Sequence, residues 1–225
     1  MTTWRPEDHP RGGADNAGQF VGRHRTEPET RLQTPAARLT RDELEFGLKE
    51  IVQRLEERGE PAELRIVGGA AISLWHNASR GATQDIDAAL SPANAVLDVA
   101  KEVAVEQGWP DDWVNDKAQI FLPSGMGTRG EEWETVYTSG TVTVKVASLD
   151  MLIAMKLYAA QRRARREYED LRVLLAERGI SSMAEAEALF EDFYPGDDLN
   201  DTAYRILGIA LENPERPAVQ APEFG

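Results

Sequence analysis

Between Thr40 and Gly59 the apolar residues fall at Leu44, Leu48, Ile51, Val52 and Leu55, the rhythm of one buried helix face. Thr40-Arg41-Asp42-Glu43 reads as a capping box, in which the hydroxyl and the carboxylate each serve backbone donors at the helix start, and Gly59 is the stop. The rhythm then changes. Leu64 to Val67 reads as a short strand, Gly68-Gly69 as a tight turn, and Ala70 to Asn77 as one or two helical turns carrying Ala71, Ile72, Leu74 and Trp75. Gln84 to Leu90 predicts a second strand. A helix follows from Ser91-Pro92 to Gln107-Gly108, with Val96, Val99, Ala100 and Val103 inward. Trp109 to Pro123 holds Trp113 and the apolar run Ile120-Phe121-Leu122. The glycine-rich stretch from Pro123 to Gly130 is either a lid or, as the favoured reading, a long connection. Glu132 to Thr138 and Thr141 to Ala147 predict a strand pair joined at Ser139-Gly140, with Val142, Val144 and Val146 buried.

The last third is helical in pattern. Leu149 to Arg178 predicts one long helix packed through Leu152, Met155, Ala159, Leu171, Leu174 and Leu175, and shorter helices follow around Ser182 to Phe193 and Asn200 to Glu212. These elements predict an α+β fold, a small mixed β-sheet flanked by helices, in a core over 39–147, followed by a helical C-terminal region over 148–213. Residues 1–38 mix proline, glycine and charge without apolar periodicity and predict a disordered N-terminal tail, and 214–225 predict a flexible one.

Composition narrows the function classes. The formal net charge of −14 argues against a protein that coats nucleic acid through its whole surface, though it leaves room for one local basic site. Nothing approaches the ~20 apolar residues of a membrane span, and no segment near Met1 reads as a signal peptide, so the expectation is a soluble, cytoplasmic chain without a membrane partner. There is no cysteine, and His9, His24 and His76 are scattered, which makes a zinc site a poor fit. His76 reads as a partly buried polar residue. No phosphate loop with Gly-Lys-Ser/Thr and no Gly-x-Gly-x-x-Gly fingerprint is present, and no nucleophile motif supports a Ser-His-Asp or Cys-His system.

The candidate chemistry lies between Val67 and Leu90. Glycine lets backbone amides approach a ligand closely, and a helix that starts just after Gly68-Gly69 offers unpaired donors to phosphate. Asp85 and Asp87, two apart on a strand, project to one face while Ile86 turns to the core. Aspartate is disfavoured in strands, so the pair calls for a reason. Two carboxylates side by side suit Mg²⁺, which completes its shell with water and substrate phosphate. The plainer alternative is an ordinary turn followed by two exposed acids on an edge strand.

Gly68-Gly69 followed by Arg80-x-x-Thr83-x-Asp85-Ile86-Asp87 resembles the signature of the DNA polymerase β-type nucleotidyltransferase superfamily, in its minimal bacterial branch. Within it the chain looks most like the abortive-infection AbiE-type toxins and their uncharacterised relatives, over roughly residues 40–178. The resemblance implies transfer of a nucleoside monophosphate from an NTP to an acceptor hydroxyl, with Mg²⁺ or Mn²⁺ on Asp85 and Asp87. Gly68, Gly69, Arg80, Thr83 and Lys156 would then contact the nucleotide. It also implies a toxin-like enzyme with tRNA 3′ ends as acceptor and a cognate antitoxin protein as partner. Alternatives are a protein AMP-transferase of the same fold and a catalytically silent nucleotidyltransferase-like binding module or antitoxin. Arg80 reads equally well as a structural arginine, and Thr83 more readily as a structural residue.

One part of the family pattern is missing. Many members carry a third metal-binding carboxylate on a strand after the Asp-x-Asp strand, whereas the polar positions Thr141, Thr143 and Lys145 hold none. Either Glu132 or Glu134 on the neighbouring strand substitutes, or the metal has only two protein carboxylates. Further on, Lys156, Arg163, Glu167 and Asp170 would stay within about 40° of one face if the helix is continuous, at 100° per residue. The AbiE-type toxins have a similar Lys-Arg-Asp motif, which implies Lys156 as a phosphate contact and Asp170 as its charge partner or a further active-site acid. The alternative is a set of surface ion pairs worth ~0.3–0.5 kcal/mol each. Arg162, Arg163, Arg165, Arg166 and Arg172 form the one dense basic cluster, either a site for a polyanion or a solvated surface balanced by Glu167 and Glu169.

Overall fold

The computed structural model describes residues 38–216, 219 and 221–224. The tail expected over 1–38 therefore lies outside the described residues, apart from Arg38. The first helix, α1 (Arg41–Glu57), starts on the capping box read from the sequence: Thr40 Oγ1 accepts from the Glu43 amide, and the Thr40 amide donates to Glu43 at 2.7 Å. Its buried face is Leu44, Leu48, Ile51, Val52 and Leu55, and Gly59 follows with φ 64°.

Five strands make one mixed sheet. They are β1 (Ala62–Val67), β2 (Ile86–Ser91), β3 (Val114–Asn115), β4 (Trp133–Thr138) and β5 (Val142–Ala147), in the order β3-β2-β1-β5-β4. Central β1 runs antiparallel to β2 and parallel to β5, while β3 extends the sheet parallel to β2. Val67 is opposite Asp87, and Asp87 is in turn opposite Asn115. That register sets the turn after β1 directly beside the second aspartate. Val142, Val144 and Val146 are buried, as their alternation predicts.

Two expected boundaries move. The helix after β1 begins at Gly68 itself: α2 (Gly68–Ala71) is only four residues long and passes into a π-helical turn, Ile72–His76, with every residue of that turn buried. The predicted strand from Gln84 starts at Ile86, because Asp85 makes no ladder bond and is held by a side chain of β3 instead. After β2, α3 (Ala93–Gln107) ends on Gly108 in the left-handed region. A 3₁₀ turn, Lys117–Phe121, follows β3.

The loop at 123–130 proves to be a connection tied to the helical end of the molecule. Arg129 lies over Phe193 with its guanidinium 4.6 Å from the ring centroid, and the Arg129 amide donates to Asp192 O at 3.0 Å. A β-carbon on Gly127 would fall 2.1 Å from that same carbonyl.

The long helix is not continuous. In α4 (Leu149–Arg178) Arg163 has φ −132° and ψ 45°, outside the helical region, so two helical arms meet there. The first arm, the second arm and the helices α5 (Met183–Phe193) and α6 (Asp201–Glu212) bury Leu152, Leu157, Leu171, Leu174, Phe190, Phe193 and Leu207 in a core that is continuous with the sheet. Where the sequence reads as a C-terminal tail, Arg216 Nε donates to Ala176 O at 3.1 Å and Phe224 packs on Tyr137, ring centroids 5.0 Å apart. No described helix is long and apolar enough to cross a membrane.

Candidate functional site

The end of β1, the start of β2, the 3₁₀ turn and the first arm of α4 enclose a cavity of about 380 Å³, within the range of small-molecule sites. Gly68, Gly69, Arg80, Thr83, Asp85, Asp87 and Lys156 all line it. Seven of the eight residues singled out from sequence thus meet around one space. The eighth, Asp170, sits just behind the wall, with 2% of its surface exposed.

Both glycines are required by close approach. Gly68 has φ 68°, and a β-carbon there would lie 3.2 Å from Asp87 Oδ2. At Gly69 a β-carbon would meet Thr83 Oγ1 at 2.8 Å and the Arg80 guanidinium at 3.0 Å. The turn is therefore pressed against the site's own side chains as well as the cavity. The one or two helical turns expected over Ala70 to Asn77 are the single α-helical turn Gly68–Ala71 continued by the π-helical turn Ile72–His76.

Asp85 and Asp87 face the same space although only Asp87 belongs to the strand. Burial and then the neighbouring Asp85 charge push the Asp87 carboxyl above its ordinary value, against the opposing pull of Lys156, Lys117 and Arg163. Asp85 Oδ2 accepts from Asn115 Nδ2 at 3.0 Å, and Asn115 Oδ1 accepts from the Lys117 amide at 3.0 Å. Asn115 was not singled out from sequence. Nothing in a two-residue strand marks it, and only the sheet register puts it beside the pair.

One wall of the cavity is an ion cluster that the kink creates. Lys156 Nζ donates to Glu167 Oε2 at 2.7 Å and lies 2.8 Å from Asp170 Oδ2. On a straight helix, residues eleven and fourteen apart would be separated by ~16 and ~21 Å along the axis, more than these side chains can span. The expected single polar face is thus replaced by two arms folded together at Arg163. Arg80 completes the cluster, with Nε donating to Asp170 Oδ1 at 2.7 Å and a second nitrogen reaching Oδ2 at 3.2 Å. Burial alone would raise Asp170, but Lys156 and Arg80 outweigh it and hold its carboxyl below the ordinary aspartate range. Of the two roles expected for Asp170, the geometry is that of a charge partner. The Thr83 backbone exchanges two hydrogen bonds with Leu39, at 2.7 and 3.0 Å, while its side chain lines the cavity beside Gly69.

The substitutes for a third carboxylate are elsewhere. Glu132 is bound by Arg129 and Ser148, and neither it nor Glu134 lines the cavity. Among the described residues no group of three or more acidic, histidine or cysteine side chains is placed to hold a metal ion. The basic cluster also divides: Arg162, Arg163 and Arg166 line the cavity, while Arg172 pairs with Glu169 and Glu215. With Arg80, Lys117 and Lys156, six cationic side chains surround a space that holds three carboxylates, in a chain of net charge −14. His76 lies apart, its Nδ1 3.0 Å from Glu177.

The carboxylate pair fits a hard divalent cation by its donor chemistry. Its oxygens are of the type Mg²⁺ takes, and Asp87 is raised first by burial and then by the Asp85 charge beside it. No protein-family model, no curated protein and no solved structure matches the chain.

Proposed function

We propose that the chain is a nucleotidyltransferase of the polymerase β type, similar to the AbiE-type toxins, that moves a nucleoside monophosphate from an NTP to an acceptor hydroxyl. The observation that carries this reading is the like-charged pair Asp85–Asp87 facing six cationic side chains across one cavity. Each half alone has an ordinary explanation. Together they suit a ligand that is itself a polyanion and arrives with a divalent cation.

In this reading Asp85 and Asp87 hold Mg²⁺ or Mn²⁺. Bound there, the metal supplies activation of the acceptor hydroxyl and charge neutralisation of the leaving pyrophosphate. Asn115 holds the Asp85 carboxylate in position through Oδ2. Lys156, fixed by Glu167 and Asp170, presents its ammonium to a phosphate. Arg163 and Arg166 meet the rest of the triphosphate, and Arg80 anchors the Asp170 side of the cluster while lining the cavity beside Gly69. The resemblance favours the 3′ end of tRNA as acceptor and an antitoxin protein as partner.

A second reading has its own support: a silent nucleotidyltransferase-like module that binds nucleotide without transfer. The third carboxylate of the family pattern is missing from the lining: neither Glu132 nor Glu134 reaches the cavity, and among the described residues no group of three or more acidic, histidine or cysteine side chains is placed to hold a metal ion.

Incubation with Mg²⁺ or Mn²⁺, each α-labelled NTP in turn, and bacterial tRNA or lysate separates these readings, with Asp85→Ala alongside. Label on tRNA that vanishes in Asp85→Ala is the expected result. Label on a protein band instead makes the chain a protein AMP-transferase, and no label with retained NTP binding supports the silent module. Transfer that survives Asp85→Ala overturns the metal assignment.

A further inference from the structure

The cavity has a second, aromatic end. Lys117, close enough to the aspartates to feel their charge, begins the 3₁₀ turn whose last residue is Phe121, ~8 Å further on at ~2.0 Å per residue. The opposite wall does the same on α4, where Lys156 is followed by Tyr158, Ala159 and Arg162. Both walls thus run from the charged end to a pair of rings. Phe121 and Tyr158 have centroids 6.4 Å apart at 50°, and the guanidinium of Arg162 lies 5.9 Å from the Tyr158 ring. Ala118, Leu152 and Met155 make the floor between them apolar.

These rings are backed by others. Tyr158 stacks on Tyr194 at 5.0 Å and 23°, Tyr194 stacks on Phe190 at 5.3 Å and 25°, and the Tyr194 hydroxyl donates to Phe121 O at 2.7 Å. The row leads from the helical core to the cavity, where Phe121 remains 39% exposed. A large apolar ring held in place yet open to a polar cavity is a surface made for a planar ligand.

We propose that Phe121 and Tyr158 form the platform on which the base of the bound nucleotide stacks, with Arg162 closing over its edge. The proposal rests on the nucleotide reading above and adds where the base sits and how it is chosen. A ligand with an anionic end and a flat aromatic end satisfies both halves of the cavity. Because Tyr194 and Phe190 already hold the platform, little ordering is needed on binding. Of the neutral polar side chains in the lining, Thr83 and Gln84 lie beside Asp85, and Tyr158 belongs to the platform itself. Stacking on the platform follows ring area, purines above pyrimidines.

The test is calorimetric titration of the full chain with ATP and, separately, with inorganic tripolyphosphate, both with Mg²⁺. Phe121→Ala is expected to weaken ATP about tenfold or more while leaving tripolyphosphate unchanged, and Phe121→Trp to retain ATP binding. Tyr158→Ala, checked for folding by circular dichroism, should act in the same direction. If ATP binds both alanine variants as it binds the parent, or if tripolyphosphate binds the parent as tightly as ATP, the platform is overturned and the phosphate end stands. If the parent binds neither ligand, the nucleotide reading fails and the platform with it.

Discussion

Two carboxylate pairs stand within one site, and they are treated in opposite ways. Glu167 and Asp170 are almost fully buried, yet Lys156 and Arg80 meet them at 2.7–2.8 Å, and Asp170 is held below its ordinary value. Asp85 and Asp87 are more open, have one amide between them as a hydrogen-bond donor, and leave Asp87 raised. The first pair is complete within the protein. The second is only partly offset, by Lys156, Lys117 and Arg163, and leaves Asp87 raised, a perturbed acid in a cavity that suits binding of a further cation. The cluster holds the two arms of α4 and the Arg80 loop together.

The largest way to break this contrast is to remove the completed side. Asp170→Ala takes the shared carboxylate from two partly buried cations, Arg80 and Lys156, and should lower stability by about 3 kcal/mol, read as the urea midpoint. Next come the glycines. Gly69→Ala drives a methyl into Thr83 and Arg80 and should cost about 1–3 kcal/mol, whereas Gly81→Ala, where a β-carbon meets nothing within 4 Å, should be close to neutral. A Gly69→Ala protein as stable as the parent would show that the turn can shift, and would loosen the link drawn here between the glycines and Arg80.

The aspartate pair should respond with the opposite sign. A group raised on folding stabilises fully below its unfolded value, about 3.9 for aspartate, and loses that contribution as pH rises through the folded value. At pH 7 the ionised Asp87 is therefore a small burden on the metal-free protein, and Asp87→Asn should raise its melting midpoint slightly. Asp170 works the other way: its contribution is present above about pH 3.9 and fades as pH falls through its lower folded value. Melts from pH 3 to pH 8 should show the gain of Asp87→Asn and the loss of Asp170→Asn both shrinking toward acid. A gain from Asp87→Asn that is unchanged at pH 3 would mean that packing, not charge, is responsible.

Added Mg²⁺ sharpens the same comparison. It should raise the midpoint of the parent, in proportion to the logarithm of its concentration once above Kd, and leave Asp87→Asn nearly unmoved. Asn115→Ala removes two hydrogen bonds, the one donated to the Asp85 carboxylate and the one accepted from the Lys117 amide, and should weaken the Mg²⁺ response more than it lowers the metal-free midpoint. Equal loss in both would make Asn115 a packing residue.

What the amino-acid order determined by itself is local: the Thr40–Glu43 cap, the buried face of α1, the valine alternation of β5, the hairpin at Ser139-Gly140 and the glycines beside an Asp-x-Asp step. These depend on neighbours one to four residues away, where periodicity and backbone sterics act directly. The same nearness carried most of the candidate site, because Gly68 and Asp87 are joined through a single β1–β2 register.

What only the tertiary structure decided is contact across long stretches of chain. The break at Arg163 lies within a run of good helix formers, and it arises where Lys156 meets Glu167 and Asp170, a gain that no local propensity records. Asn115 acquires a role through strand pairing, and Phe121 and Tyr158 become neighbours through helices packed around Tyr194. Their residue types are common and their spacing carries no period. Such a site is specified by burial and charge compensation in three dimensions, and those are properties of the folded chain as a whole.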